Sequence, residues 1–401
     1  AASIAQHWLA AGELERAAPA LEQAAQHAVA ASRMREAADL YATLAGVHDR
    51  RGDAKARNHV GRLAFQCRAM VDEDGDWIDA TLDGLEAQAV DAADLAGVFE
   101  QRARVAATRW DVEGGEQVAR RAVELAQQAR EPALESDSRV ALAQILLKKR
   151  RPDEAAAVLA GAQEWIEHGA PLEQRFLYEQ CMAWLALEQE HFAQAQRQWQ
   201  RCAEIAVEQG SMSNLSIALG YQMLCQGYLG RFGKAAEMGE RERALMLEYR
   251  LLGEPFQLVD LNLAHVYICA GRHADALTAI ERAEAVPGVH QASLQQRRAA
   301  VYLALGQPGR ARPFAQRALD EAQHESQRHG PLLALLRVQH ALEPVPGMTP
   351  AQRALLDEAD GVAALSTKRL ARVRNRLVQA ECSSGDERLA AAEAALALLA
   401  G

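Results

Sequence analysis

The chain has 401 residues, of which 49% are hydrophobic and 24% charged, proportions typical of a globular protein rather than a disordered or fibrous one. Its 44 Lys and Arg against 54 Asp and Glu leave a net charge of −10, which argues against nucleic-acid binding along its length. The low aromatic content, 5%, and the abundance of Ala favour helices over a β-sandwich. No apolar run approaches the roughly 18 residues of a membrane span.

The first residues indicate where the chain comes from. They include no initiator Met, no basic segment and no long apolar leader, so we expect a fragment of a longer protein that is helical from near its first residue. The cysteines are few, scattered and without a CxxC pair, which argues against a disulfide scaffold and predicts a cytoplasmic location. They are Cys67, Cys181, Cys202, Cys225, Cys269 and Cys382.

One spacing recurs along the chain. A turn residue is followed by Ala five residues on, by a mostly apolar residue nine on, and by a mostly small residue twelve on. Near the N-terminus the turn residues are Gly12 and Ser32. Between about residues 94 and 324 they recur at spacings of 36, 40, 40, 41 and 35 residues, at Gly114, Arg150, Glu190, Gly230, Gly271 and Gly306. The repeat that starts at Gly230 breaks the rule, with Gly239 and Glu242 in the later positions.

This spacing predicts one helical hairpin per repeat. The turn residue ends the first helix, and Gly does so at little cost because it accepts the left-handed conformation. The Ala lies where the second helix crosses the first, and the larger residue one turn later fills the groove toward the next repeat. A repeat of about 35–40 residues holds two such helices and their turns.

The pattern blurs between residues 52 and 94 and again after residue 342. An acidic run from Asp72 to Asp83 resembles a calcium-binding loop, but Trp77 stands where that loop requires Gly, which favours a solvated connection between helices. Thr349 and Pro350 are typical of an N-cap and a first-turn proline. We therefore predict partly irregular N-terminal repeats (1–93), regular repeats (94–341) and C-terminal capping helices (349–401).

No motif predicts catalysis, a cofactor or a metal. His324 and His329 are five residues apart, too far around a helix to share a zinc ion. The segment 227–234 has the glycines and the lysine of a phosphate loop without its spacing. No His pairs with a nucleophile in a recognisable triad motif.

Two basic clusters are most typical of a solvated face; the alternatives are docking to an acidic partner or to a neighbouring domain of the parent protein and, least favoured, contact with nucleic acid. They are Lys148–Arg151 and the helical series Lys368, Arg369, Arg372 and Arg376, with Arg374 beside it.

Glycine followed by Ala five and twelve residues on, with Tyr four residues before it at Tyr267 and Tyr302, resembles the tetratricopeptide (TPR) pattern. The resemblance implies an all-α, right-handed superhelical solenoid of antiparallel helical hairpins. The period of about 40 residues is similar to that of the TPR-like sensor regions of bacterial STAND signalling ATPases, such as the maltose-activator (MalT) family of LuxR-type regulators. The segments 4–17 and 31–41 are similar to the stretch that follows the ATPase module in such proteins, whose nucleotide-binding motifs have no counterpart here.

In TPR-like repeats the first helices line the concave side, and their concave-facing positions precede the turn residue by two, three, six and ten residues. Transferred to this chain, these offsets select a row of polar and amphipathic side chains that would bind a ligand or partner. The row is Arg104, Thr108, Gln144, Lys148, Gln180, Trp184, Glu188, Tyr228, His265 and Gln296.

Three hypotheses of function follow. The first is a non-catalytic, ligand-sensing or protein-interaction region of a larger cytoplasmic signalling ATPase or transcriptional regulator. Its concave face would bind a protein, a peptide or a small-molecule inducer, and it would contact other domains of the parent chain but neither nucleic acid nor membrane. The second is a stand-alone scaffold that assembles other proteins. The third, an enzyme, has no motif in its favour.

Overall fold

The computed structural model describes residues 2–31, 33–72, 74–109, 111–250, 254–286, 290–322, 325–365 and 369–400. These ranges contain helices and no strand, so the predicted all-α class is confirmed. The chain divides into two compact units, residues 1–218 and 219–401, which we name unit 1 and unit 2. The predicted segments 1–93, 94–341 and 349–401 were defined by the regularity of the repeats rather than by compactness, and their limits stay predictions.

The described residues of unit 1 form twelve helices and the first part of a thirteenth. They are α1 (Ala2–Ala10), α2 (Leu14–Ala30), α3 (Met34–Arg50), α4 (Ala54–Ala69), α5 (Gly75–Ala87), α6 (Ala92–Thr108), α7 (Val112–Ala129), α8 (Pro132–Lys148), α9 (Pro152–Ala160), α10 (Gln163–His168), α11 (Leu172–Glu188), α12 (Phe192–Gln209) and α13 (Met212–Tyr228). The boundary with unit 2 falls inside α13.

Unit 2 continues from α13 with nine further helices. They are α14 (Phe232–Glu248), α15 (Glu254–Cys269), α16 (His273–Glu284), α17 (Gln291–Ala304), α18 (Pro308–Asp320), α19 (Glu325–Leu342), α20 (Pro350–Ala364), α21 (Arg369–Cys382) and α22 (Gly385–Ala400).

Consecutive helices pack as hairpins, as the repeat pattern predicts. In unit 1 the regular hairpins are α6–α7, α8–α9 and α11–α12, and in unit 2 they are α15–α16, α17–α18, α19–α20 and α21–α22. The first helices also contact one another directly. In unit 1 α8 packs against both α6 and α11, and in unit 2 the same row runs through α15, α17, α19 and α21. We name these the first-helix rows of the two units.

Most predicted turn residues have a left-handed backbone. Gly12, Gly230, Gly271 and Gly306 have φ between 67° and 76°. Arg150 and Glu190 take the same conformation with φ of 57° and 58°, although they carry side chains that make it less favourable. Ser32 lies outside the described residues. The six turn residues with a left-handed backbone therefore each end a first helix where the pattern predicts.

The small residues of the pattern lie in the core, as predicted. The crossing alanines are fully buried, at Ala155, Ala195, Ala235, Ala276 and Ala311. The positions four residues later hold Leu159, Trp199 and Ile280, which are also fully buried. A methyl group at each crossing lets two helix backbones approach, and the larger side chain one turn on fills the space between hairpins.

The assignment of Gly114 as a turn residue is wrong. Gly114 lies in the first turn of α7, where its backbone N–H donates to Asp111 Oδ1 at 3.2 Å. The crossing position of this hairpin belongs instead to Gly115, where an added Cβ would lie 2.9 Å from Ala106 Cβ and 3.1 Å from Ile145 Cδ1. The predicted register was therefore displaced by about one helical turn in this repeat. The buried Ala119 and Ala126 lie on the same face of α7 and hid the displacement.

The irregular segment between residues 52 and 94 is held by a buried polar cluster. The Asp94 carboxylate accepts from Asn58 Nδ2 at 2.7 Å and from the Arg62 guanidinium at 3.0 Å, and joins α4 to the start of α6. Burial opposes ionisation of Asp94, but these donors outweigh it and lower the pKa of the carboxyl. In the acidic run, Asp74 accepts from the backbone N–H groups of Asp76 and Trp77 and caps α5.

The C-terminal segment begins as the sequence predicts. Thr349 caps α20 by accepting from the backbone N–H of Gln352 at 3.2 Å, and Gln352 Oε1 accepts from the Thr349 N–H at 3.1 Å. This reciprocal pair satisfies two otherwise unpaired donors of the first turn. Leu356 of α20 then packs with Leu332 and Leu336 of α19.

Candidate functional site

All ten predicted binding residues lie on first helices. Unit 1 carries seven of them, on α6, α8 and α11, and unit 2 carries Tyr228 near the end of α13, His265 on α15 and Gln296 on α17. Because the first helices of each unit lie side by side, polar side chains on adjacent helices can share one ligand. The two units carry different groups and are described separately.

In unit 1, polar side chains of α6, α8 and α11 meet in one cluster. Arg104 donates to Glu100 Oε1, and Gln101 Nε2 donates to Glu100 Oε2 at 2.8 Å. From α11, Gln174 Nε2 donates to Asp137 Oδ2 on α8 at 2.9 Å. We name Glu100, Arg104, Asp137 and Gln174 the unit 1 cluster.

The electrostatics of the unit 1 cluster couple its three charged groups. Burial and the charge of Glu100 raise the pKa of Asp137 well above its ordinary value, which Arg104 only partly offsets. Burial opposes the charge of Arg104, but the carboxylates of Glu100 and Asp137 outweigh it and raise the pKa of the guanidinium. The cluster therefore contains one permanently charged cation, Arg104, and two carboxyl groups, Glu100 and Asp137, that both interact with it.

The other predicted residues of unit 1 differ in what they can offer a ligand. The Thr108 hydroxyl donates to the Arg104 backbone oxygen at 3.1 Å within its own helix. Gln144 is half-buried, with its side chain within hydrogen-bonding reach of the Cys181 thiol. Gln180 is buried. Lys148 is half-buried, and burial lowers the pKa of its ammonium. Glu188 is half-buried near the end of α11.

Trp184 contacts the core as well as the first-helix row. It is half-buried and meets the fully buried Trp199 of α12 edge-on, with ring centroids 6.2 Å apart and planes at 66°. This is a favourable aromatic geometry. A substitution at Trp184 would therefore disturb packing as well as any bound partner.

In unit 2 the predicted His265 lies in a basic environment. Its ring is 4.0 Å from the Cys269 thiol on the same helix. The charge of Arg297, then burial and then the charge of Arg374 lower the pKa of His265 to about 3. The imidazole is therefore neutral at pH 7 and offers one donor and one acceptor.

The remaining predicted residues of unit 2 are Tyr228 and Gln296. Tyr228 is exposed over 48% of its surface. The Gln296 amide lies over Gly330 of α19, and a Cβ at that position would require the amide to shift. Gly330 thus makes room for a polar group between α17 and α19.

Arg297 and Arg374 were not among the predicted residues. Arg297 Nε is buried without a hydrogen-bond partner, and burial followed by the charge of Arg374 lowers the pKa of Arg297 to about 10. Arg374 is exposed on α21. Within the part of the chain that the structure describes, neither guanidinium has a carboxylate within 4.0 Å.

The sequence does not predict this pair. Arg374 stands out only as a neighbour of the basic series on α21, and Arg297 belongs to no recognisable sequence motif.

The two basic clusters singled out from sequence are partly neutralised. Lys149 donates to Glu113 and Glu116 at 2.6 and 2.7 Å, and Arg151 contacts Glu116 at 2.9 Å. On α21, Arg376 pairs with Asp360 at 3.0 Å, whereas Arg372 is exposed and Lys368 lies outside the described residues.

The described residues contain no disulfide, no grouping of metal ligands and no helix that could span a membrane. All six cysteines are unpaired, and Cys269 is exposed while the other five are buried. Within the ranges given above, no three His, Cys, Asp or Glu side chains come together as a metal site, and no helix is both long and apolar enough to cross a membrane. His324, one of the two histidines weighed for zinc, lies outside those ranges.

Hairpin after hairpin with a left-handed turn and a buried crossing alanine defines an all-α helical-repeat solenoid of the TPR-like class. Solved structures with this fold include a Rap protein complexed with the Competence and Sporulation Factor (TM-score 0.58, 14% identity, 88% of this chain and 99% of that one). They also include the quorum sensor NprR in complex with its cognate peptide NprX (TM-score 0.55, 15% identity, 76% and 88%). The apo form of NprR from B. thuringiensis is similar too (TM-score 0.53, 14% identity, 73% and 83%).

At these identities the likeness concerns the fold alone. No family model matches the chain, and no curated protein matches it.

Proposed function

We propose that this chain is a non-catalytic interaction region that binds a peptide, or an extended segment of a partner protein, along its first-helix rows. The observation that carries the proposal is the unit 1 cluster, in which three neighbouring first helices direct carboxyl, carboxamide and guanidinium groups, one buried and three half-buried, to one place. A purely structural row would bury apolar side chains there, because enclosing polar groups is costly.

The chemistry of the row suits a peptide backbone. Gln144, Gln174 and Gln180 carry primary amides, each of which both donates and accepts, as a peptide bond does. Arg104 and the two carboxyls would add charged contacts. The structure of NprR in complex with its cognate peptide NprX and that of a Rap protein complexed with the Competence and Sporulation Factor, which have the same fold, support this choice.

Selection from a phage-displayed library of random dodecapeptides tests the proposal. We expect the full chain to enrich related sequences, and the synthetic peptide to bind with a Kd that Gln144→Ala and Arg104→Gln each raise by about 10–100-fold, as loss of a buried polar contact predicts. Calorimetry measures the Kd. Gln128→Ala, on the exposed face of α7, is the matched control and should bind as the wild type does.

Thermal unfolding separates loss of binding from loss of fold, since Arg104→Gln leaves Glu100 without its arginine. Gln144→Ala breaks no ion pair and keeps the test decisive if Arg104→Gln is unstable. Failure to enrich any sequence, or enrichment that both variants leave unchanged, would contradict the proposal.

The wider context belongs to the same proposal. The similarity of segments 4–17 and 31–41 to the stretch after the ATPase module of MalT-like regulators supports a sensor region of a larger cytoplasmic signalling protein, and the six unpaired cysteines are compatible with that location. A stand-alone scaffold is the alternative. The gene sequence upstream of the Ala1 codon distinguishes them: a phosphate-loop motif is expected in the first case, and a start codon directly before Ala1 in the second.

A further inference from the structure

The first-helix row of unit 2 carries an uncompensated positive charge. Arg297 on α17 and Arg374 on α21 stand on either side of α19, which packs against both helices. Each acts electrostatically on the other and on His265 of α15. Three helices of one row thus contribute to a single basic surface, whose residues we name the unit 2 basic site: His265, Cys269, Arg297 and Arg374.

Other arginines nearby are compensated, which sets this pair apart. Arg243 and Arg282 both contact the fully buried Asp260, at 3.2 and 2.7 Å. Arg376, two residues from Arg374, pairs with Asp360 at 3.0 Å. Arg297 has the opposite arrangement: its Nε is buried without an acceptor, and the largest charge acting on it is that of another cation, Arg374, with smaller opposing contributions from Cys269 and Tyr228.

Burying the Nε of a guanidinium without an acceptor is costly, and an anion that binds beside the arginine lowers this cost. A carboxylate matches the planar fork of a guanidinium through two parallel hydrogen bonds. The neutral His265 ring beside the arginines adds a donor or an acceptor for the group that carries the carboxylate.

We propose that Arg297 and Arg374 form an anion site that binds a carboxylate of the peptide, supplied either by an acidic side chain or by the C-terminus. This assignment rests on the proposed peptide-binding function and names the chemistry of its ligand. It predicts that the bound segment is acidic where it lies on unit 2.

His265 provides a local probe of the site in the full chain. With ¹³C-labelled histidine, its resonance is assigned by comparison with His265→Gln. Three synthetic pentapeptides are added: acetyl-Gly-Gly-Glu-Gly-Gly-amide, its Gln counterpart, and acetyl-pentaglycine with a free C-terminus. Sodium sulfate is the fourth probe.

We expect saturable shifts of the His265 resonance with the Glu peptide or with the free C-terminus, and none with the Gln peptide. The responding peptide identifies the source of the carboxylate. Arg297→Gln and Arg374→Gln should each weaken binding at least about 10-fold, the loss of one charge-assisted contact. Arg372→Gln, which removes an exposed arginine from the same helix, should have no effect.

The variants also test the site without a ligand. Because Arg297 depresses protonation of His265, Arg297→Gln should raise the pKa of His265 from about 3 toward its ordinary 6.5. Arg297→Gln should unfold no earlier than the wild type, since it removes a cation whose Nε is buried without a hydrogen-bond partner. A strongly destabilised Arg297→Gln would mean that Arg297 has a structural role, and the proposal would be wrong.

The other contradicting outcomes are no shift with either carboxylate, equal shifts in the arginine variants, or a response to sulfate alone. The peptide-library selection tests the peptide-binding function separately, because it uses variants of unit 1. If His265 responds to a carboxylate but no peptide is enriched, the anion site is supported and the peptide-binding function is rejected. If peptides are enriched but His265 does not respond, only the anion site is rejected.

Discussion

At the scale of single residues, neighbouring helices compensate for the two departures from the repeat pattern, at Gly239 and Glu242. Gly239 stands where other repeats have a large side chain, and Met223 and Leu263 occupy that space, with an added Cβ only 2.5 Å from Met223 Sδ. Glu242 stands where other repeats have a small residue, and it fits because Gly220 opposes it, with Glu242 Oε1 2.7 Å from where a Gly220 Cβ would be. The sequence predicted a break here, but only the packing shows that neighbouring helices compensate for it.

Gly239→Ala should therefore destabilise unit 2. The new methyl group would overlap Met223 and Leu263, and overpacking of this kind costs about 1–3 kcal/mol. Gly233→Ala is the control on the same helix, because nothing lies within 4 Å of its Cβ, and it should be neutral or stabilising by up to about 1 kcal/mol. Urea unfolding measures both. Equal stability of the two variants would contradict the close contact of Gly239 with Met223 and Leu263.

At the scale of helices, the hairpin crossing sets how close two helices approach. Ala276 of α16 is fully buried in a cluster with Val266 and Tyr267 of α15. The side chain at this position must be small for the hairpin to close. The same requirement is met by alanine in four other hairpins and by Gly115 in α7.

Ala276→Leu should cost about 1–3 kcal/mol, because three extra carbon atoms must be placed between α15 and α16. Ala274→Leu, exposed two residues earlier on α16, is the matched control and should change stability by no more than about 0.5 kcal/mol. Thermal unfolding followed by circular dichroism measures both. A neutral Ala276→Leu would contradict the assigned crossing.

The sequence predicted the hairpins well because their signals are local. A turn residue and the small and large residues after it all belong to one hairpin. The failure at Gly114 has a physical cause: small residues one turn apart lie on the same helical face, so the pattern fits at either position. With the register shifted by four residues, Glu100 joins Arg104 at the concave-facing offsets of α6, and this missed residue becomes part of the unit 1 cluster.

At the scale of the whole molecule, several carboxyl groups with raised pKa values contribute to the response to pH. Burial raises the pKa of Glu242 from 4.5 to about 8, and burial also raises the pKa of Asp260 despite its two arginines. Asp137 of unit 1 is shifted in the same direction. Folding therefore favours the protonated form of these carboxyl groups, whereas the lowered pKa of His265 favours its deprotonated form and gives the opposite pH dependence.

For Glu242 the sign follows directly. Its contribution to stability is fully present below pH 4.5, declines as the pH rises, and is lost at about pH 8. Glu242→Gln should match the wild type near pH 4.5 and exceed its stability by about 2–4 kcal/mol at pH 8. Glu237→Gln, exposed on the same helix, should follow the wild type at both pH values. Urea midpoints at the two pH values measure the difference, and a gap that does not widen with pH would contradict the burial of Glu242.

The sites were harder to predict than the fold because they join distant parts of the chain. Arg297 and Arg374 belong to α17 and α21, which are two repeats apart with the hairpin α19–α20 between them, and no local spacing connects them. The unit 1 cluster likewise combines Glu100 with Gln174. Offsets within one repeat select the correct helices, whereas the partners of each side chain depend on how neighbouring repeats stack.

The pairing of each helix with its immediate neighbours along the chain also has a consequence for biosynthesis. Proteins dominated by such local contacts fold fast, because little loop entropy is lost before contacts form. A hairpin of about 40 residues can therefore close soon after it leaves the ribosome, without waiting for the C-terminus. During translation, only the newest hairpin would present its apolar face to chaperones.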